Sequence, residues 1–207
     1  MQERCAPGFD RVLRGFSLAD VEQHAGTVFG LWPDFHLAYF NPAWFQFSRF
    51  NQGEPRISAE WNLGRSVFDA IPEVLQDFYR TLFSRALGNP KPGARPPAHS
   101  YECSSGSVFR RFALNTYRLG DGEGLLVVNS LLVERPHGPA DGRVAGDDKR
   151  TYVQADGSVR QCSHCRRIEH ASQPNRWDWI PEWVDRFPRE TSHTLCSFCL
   201  DYYYPAE

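Results

Sequence analysis

No stretch of this 207-residue chain approaches the roughly 20 consecutive apolar residues that a membrane-spanning helix needs. The opening MQERCAPGFDRVLRG carries charges but no apolar core, so no secretory signal is expected. The default compartment is then cytoplasmic and reducing, where disulfides are rare. Charge of one sign is lacking as well. The net charge is −2, with 6 Lys and Arg against 8 Asp and Glu from Thr151 onward and 17 of each before it. A surface for nucleic acid or anionic membrane needs a basic face, so neither partner is expected. P-loop, nucleophile elbow and dinucleotide fingerprint are all missing, and no catalytic constellation replaces them. The expectation is a protein that is not an enzyme. Internal repeats are absent, and there is one Met. With 41% apolar and 23% charged residues, the chain nonetheless has the composition of a globular protein rather than a disordered one.

Composition shifts at residues 135–151, rich in Gly, Pro, Asp and Arg, which read as a linker. It divides a segment at 1–19 and a domain at 20–134 from a module at 152–207. In the first domain, GTVFGLW (26–32) and HLAYF (36–40) are strands around a PDF turn. Asn41 as N-cap and Pro42 at the first helical position start a helix over 41–50. Pro72 opens the clearest helix, 72–87, with Val74, Phe78, Leu82 and Ala86 on one face. HSYEC (99–103), SVFRRFALNTYRL (107–119) and GLLVVNSLLVE (124–134) then form an antiparallel meander. The nearly continuous apolar run of the last predicts a central strand covered on both faces.

Strand, PDF turn, strand and YFNPAW, in which Asn-Pro-Ala begins the first helix, resemble the opening of a PAS domain. LGRSVFDAIP, the long helix and the three-strand meander are similar to the rest of it. The resemblance covers about 20–134. It implies an α+β fold: a five-stranded antiparallel sheet with helices on one side, often enclosing a small-molecule or cofactor pocket used for sensing.

Four of the six cysteines form two Cys-x-x-Cys pairs, Cys162 with Cys165 and Cys196 with Cys199. Thiolates suit zinc or iron, and two such pairs, each read as a knuckle turn presenting both sulfurs to one ion, complete a four-sulfur tetrahedron. Disulfides would need an oxidising compartment. A thioredoxin-like pair needs a strand–helix context and leaves the second pair unexplained. Haem attachment needs a His after the second Cys, where Arg166 and Leu200 stand. A rubredoxin-like iron site is the main rival, but its knuckles carry Gly at those same two places. One structural zinc per chain, on four thiolates, is the expectation. His193 is a candidate for orienting the ligands, His164 is expected to be exposed, and Arg166 and Arg167 offset the sulfur charge. Trp179, Ile180, Trp183, Val184 and Phe187 fall at helical spacing over 179–187, a stripe that packs on the metal site or meets a partner. The pattern C-x-x-C-R-R-I … W … S-H-x-x-C-x-x-C-L also resembles a short tail of bacterial PAS-containing sensor and response-regulator-like proteins.

In the first domain Phe40, Trp44, Phe68, Phe78, Phe83 and Tyr117 are core aromatics that also stand as candidates to line a ligand pocket, and Asn129 interrupts the last strand to face a ligand or a neighbour. The helix start lacks the Cys of flavin light sensors. His24, His36 and His99 are the candidates for a haem ligand, and none lies on the long helix. Cys103 is expected to be a buried small apolar residue. Together these features predict a cytoplasmic signalling protein. Its PAS-like domain would bind a small molecule or a partner, its zinc module would serve docking or output toward another signalling protein, and the chain would pair as a homodimer through the segment before residue 25 or the sheet. The alternatives are a rubredoxin-like electron-transfer protein and a zinc-ribbon nucleic-acid binder. The two parts are expected to fold independently, so that Cys196→Ser would unfold the C-terminal module alone.

Overall fold

In the computed structural model, which describes residues 3–13, 15–51, 53–89, 93–138, 141 and 148–205, the PDF turn does reverse the chain between two strands. β1 (Val28–Leu31) pairs antiparallel with β2 (Leu37–Phe40), and Phe35 takes the left-handed conformation at φ 66°. Two short N-terminal helices, α1 (Phe9–Val12) and α2 (Leu18–Gln23), precede them. After β2 come α3 (Pro42–Phe50), α4 (Arg56–Glu60), a 3-10 turn at Val67–Ala70 and α5 (Glu73–Leu87). β3 (Ala98–Glu102), β4 (Val108–Leu119) and β5 (Gly124–Pro136) complete a five-stranded antiparallel sheet in the order β2-β1-β5-β4-β3. This is the α+β architecture that the resemblance implies.

The first helix of that core is held by one residue. Asn41, fully buried, accepts through Oδ1 from Trp44 N at 3.1 Å and from Val28 N at 2.9 Å. Its Nδ2 donates to the carbonyls of Gly26, His24 and Val21 at 3.0, 3.2 and 3.4 Å. The N-cap read from the sequence is therefore also the clamp between α2, β1 and α3.

Strand alternation sends β1 side chains to both faces. Phe29 faces α3, with Trp44 edge-on at 5.5 Å, and Val28 and Leu126 join the cluster of Phe9, Val12, Leu13, Val21 and Tyr39 on the other face. Helices thus cover the sheet on two sides rather than one: α1 and α2 supply the second layer, which the expectation for 1–19 left out. The reason lies in FDRVL, where Phe9, Val12 and Leu13 give a three-residue apolar stripe too short to stand out by periodicity. Phe9 lies against Gly30, where a Cβ would fall 2.3 Å from its ring. Gly30→Ala should therefore cost about 1–3 kcal/mol by overpacking, read as a lower denaturant midpoint at unchanged slope.

β5 is buried on both faces over Gly124–Val127, as expected of a central strand, but from Leu131 to Pro136 it is exposed. It also runs past the point where the linker was expected to begin. Lys149–Tyr152 forms a 3-10 turn, and most of the linker between lies outside the described residues. Among the described residues, no helix is long and apolar enough to cross a membrane.

The chain divides into two compact units. Met1–Ile71, Tyr79–Ser100 and Ala113–Leu131 form one; Pro72–Phe78, Tyr101–Phe112 and Leu132–Glu207 form the other. The second unit contains a small sheet of order β8-β7-β6-β9. In it β6 (Val159–Cys162) pairs antiparallel with β7 (Ile168–Glu169) and parallel with β9 (Thr191–Thr194), while β7 pairs with β8 (Trp177–Asp178). α6 (Glu182–Asp185) and α7 (Ser197–Tyr203) complete it. Its core is Tyr152, Val159, Ile168 and Ile180, with Trp183 against it. Buried Asp178 accepts from the Tyr152 hydroxyl at 2.6 Å and from the Arg176 guanidinium at 2.8 Å.

The helix expected over 179–187 shrinks to Glu182–Asp185. Pairing of β8 with β7, Ile168 opposite Asp178, holds Asp178 in extended backbone, and Tyr152 and Arg176 tie down its side chain, so the chain cannot turn helical before Pro181, and Pro188 bars any continuation beyond Phe187. The aromatic stripe splits accordingly: Trp179 and Ile180 are buried, and Phe187 is exposed.

Candidate metal centre

β6 ends on Cys162, and a tight turn comes next. Cys162 N donates to Arg167 O at 2.9 Å and Arg166 N to Cys162 O at 3.0 Å. Arg166 sits at φ 61°, in the left-handed region that favours Gly, so the turn keeps a knuckle's backbone without its Gly. Parallel pairing of Cys162 with Thr194, and a 2.7 Å bond from Ser163 N to Thr194 O, bring the end of β9 beside this turn. Cys196 then stands two residues on, as the N-cap of α7, with Leu200 N donating to its carbonyl at 2.8 Å. Cys199 lies in the first turn of that helix. The second pair is thus not a second knuckle but a helix N-terminus, whose free N–H groups and dipole favour anionic sulfur.

The four Sγ atoms lie within 4.8 Å of one another, and all four cysteines are buried and unbridged. Cys165 and Cys196, one from each pair, approach to 3.9 Å between sulfurs. A tetrahedral ion with metal–sulfur bonds of about 2.3 Å sets sulfurs about 3.8 Å apart, whereas a disulfide needs about 2 Å. The donor set and its spacing fit a tetrahedral metal ion.

The protonation chemistry points the same way. Hydrogen bonds from the thiols of Cys165, Cys196 and Cys199 hold Cys162 far below the ordinary thiol range. Cys165 and Cys199 are pushed above that range, first by their contact with the Cys162 sulfur and also by burial. Cys196 is lowered as well, since contact with Cys162 raises it but the Cys165 and Cys199 thiols outweigh that. Two thiolates therefore form readily and the other two are resisted, so four together require a cation. Metal uptake near neutral pH should therefore release protons, and apparent affinity should fall as pH falls. Calorimetric titration in buffers of different ionisation enthalpy reads this directly; a buffer-independent heat would contradict it.

Of the two arginines expected to offset the sulfur charge, Arg167 is the one held in place. Burial alone would lower its pKa, but Cys165, Glu102 and Cys196 outweigh that and raise it. The guanidinium also donates to the Asp141 carbonyl. Asp141 in turn takes both Arg135 nitrogens at 2.5 Å, which holds its carboxyl far below the usual range.

His193 is exposed on β9, its ring edge-on to Phe187 at 5.7 Å, and among the described hydrogen bonds none joins it to a sulfur. His164, expected to be exposed, is half-buried instead: its Nδ1 and the Tyr203 hydroxyl are hydrogen-bonded at 2.7 Å. Tyr203 was not legible as part of the site. The signal was its position four residues past Cys199, which repeats on one helix face.

The pocket candidates pack among their neighbours. Phe40 lies 5.0 Å from Trp44, Phe68 6.4 Å from Phe83, and Tyr117 edge-on to Phe16 at 5.7 Å. Phe78 is edge-on to Tyr203 at 4.8 Å. Asn129 donates from its backbone to Thr27 O at 2.9 Å. A cleft of about 410 Å³ is lined by Arg56, Ala59, Glu60, Trp61, Asn62, Arg65 and Asp69, and none of the seven candidates lines it. Cys103, expected to be buried, is exposed: it lies just past the end of β3, where the chain turns toward β4.

No family model matches the chain. No curated protein matches it either. Among solved structures it is similar to the photoactive yellow protein domain from the sensor histidine kinase Ppr from Rhodospirillum centenum. The likeness has a TM-score of 0.36 and 12% identity, over 57% of this chain and 95% of that one.

Proposed function

We propose that this chain is a cytoplasmic, non-enzymatic sensory protein. Its PAS-like part binds a small molecule or a partner. Its four thiolates hold one structural zinc, and the module so formed docks on another signalling protein, the chain acting as a homodimer. The observation that carries the metal half is the buried quartet of sulfurs within 4.8 Å. Zinc is favoured over a rubredoxin-like iron site because only the first pair forms a knuckle; the second lies on a helix N-terminus. The sensory half rests on the five-stranded sheet with its flanking helices and on the sequence resemblance at YFNPAW. A nucleic-acid role is disfavoured by the charge balance from Thr151 onward, 6 Lys and Arg against 8 Asp and Glu.

Metal analysis with absorbance on the purified chain tests the reading. One zinc per chain in a colourless protein is the expected result. A red protein with stoichiometric iron would replace zinc by an electron-transfer centre, and well under one metal per chain would remove the site.

A further inference from the structure

α7 has seven residues, too few to hold a helix in water by itself. Both of its ends are tied to the sulfur site. Its N-cap is Cys196, and at its C-terminal end the buried Tyr203 hydrogen-bonds His164, which lies between Cys162 and Cys165. The same turn reaches α5. The Tyr203 ring stands edge-on to Phe78 at 4.8 Å and 90°, and the Tyr204 hydroxyl donates to the Val74 carbonyl at 2.9 Å. Val74 and Phe78 are one turn apart on the stripe read from the sequence. They are only half-buried, while Leu75, Leu82, Phe83 and Ala86 form the buried face of α5.

We infer that the metal site is a latch on the N-terminal half of α5: the bound ion keeps α7 helical, and Tyr203 and Tyr204 then clasp Phe78 and Val74. The latch rests on the metal reading above and adds regulation to it. Loss of the ion would release the clasp and loosen the start of α5, whose residues up to Phe78 belong to the same compact unit as the metal site. By linkage the effect is reciprocal, so a weakened clasp must also weaken the hold on the metal.

The test uses the full chain loaded with zinc, under reducing conditions. Tyr204→Phe removes one hydroxyl from an exposed ring, and Phe78→Leu removes the edge contact while keeping apolar bulk. Each should retain one zinc per chain at saturation. Each should show about fivefold faster amide exchange in 73–78, the scale of one hydrogen bond, with 197–203 still protected. Each should lose zinc to a competing chelator with an apparent affinity weaker by a similar factor. Unchanged exchange and unchanged zinc affinity in both variants would overturn the latch and leave the metal site standing. A wild-type chain that takes up no zinc would overturn both.

Discussion

Cys196→Ser should empty the metal site and unfold the second compact unit. A serine hydroxyl is not ionised near neutral pH and is a poor ligand beside thiolates, so three sulfurs remain for a four-coordinate ion. Cys196 is also the N-cap of α7, but its side chain makes no capping hydrogen bond there and Ser caps helices well, so the loss comes from the metal site and not from the cap. Structural zinc on four thiolates contributes about 10–16 kcal/mol of apparent binding free energy, which in a small module is folding free energy. That matches or exceeds the whole net stability of an ordinary domain, about 5–15 kcal/mol. The core of Tyr152, Val159, Ile168 and Ile180 cannot compensate for a loss of that size. The unit also holds Pro72–Phe78 and Tyr101–Phe112, so amide exchange should rise there as well as in 152–205. The first unit, with Phe9, Val21, Val28, Tyr39 and Leu126 in its own cluster, should keep its thermal transition. A variant that retains one metal per chain, or that loses both transitions, would contradict this account.

What could be read from the sequence, and what could not, divides by the range of the interaction. Asn41-Pro42, the PDF turn and the cysteine spacing are local rules: a cap needs its acceptor three residues before the amide, and a knuckle needs two thiols across one turn. Each of these was legible, and each reappears in the structure. The helix over 179–187 misled because helical spacing describes a stripe without stating what pins its start. Asp178 is held by Tyr152, 26 residues away, and no pattern within the stripe records that. The second pair of cysteines read as a knuckle for the same reason, since C-x-x-C fits a knuckle and a helix N-terminus equally well. What decides is the parallel pairing of β6 with β9. The layer made by α1 and α2 is illegible locally because its apolar stripe, Phe9, Val12 and Leu13, is too short to show a period, and its seat is a missing side chain at Gly30, filled by the ring of Phe9.

Asn41→Asp should destabilise the first unit by about 3–5 kcal/mol at neutral pH, the range for a buried charge without compensation. The substitution is nearly isosteric, and Asp caps helices as well as Asn does, so the acceptor half survives: one oxygen still faces Trp44 N and Val28 N. The donor half inverts. Nδ2 now serves the carbonyls of Gly26, His24 and Val21 at 3.0–3.4 Å, and a second carboxylate oxygen there would face three oxygens of like partial charge in a fully buried place. That repulsion sets the sign of the pH dependence. The ionised form is disfavoured only in the folded state, so the folded carboxyl has its pKa raised above the unfolded value of about 3.9. A group raised in this way costs nothing while both states are protonated. Its penalty begins as pH rises past about 4, and it levels off above the folded pKa. Denaturant midpoints of variant and wild type, compared at each pH, should therefore converge in acid and separate toward neutrality. A penalty that is the same at pH 4 and pH 7 would show that the three carbonyls do not depend on the Asn41 amide, and Asn41 would then be a cap and nothing more.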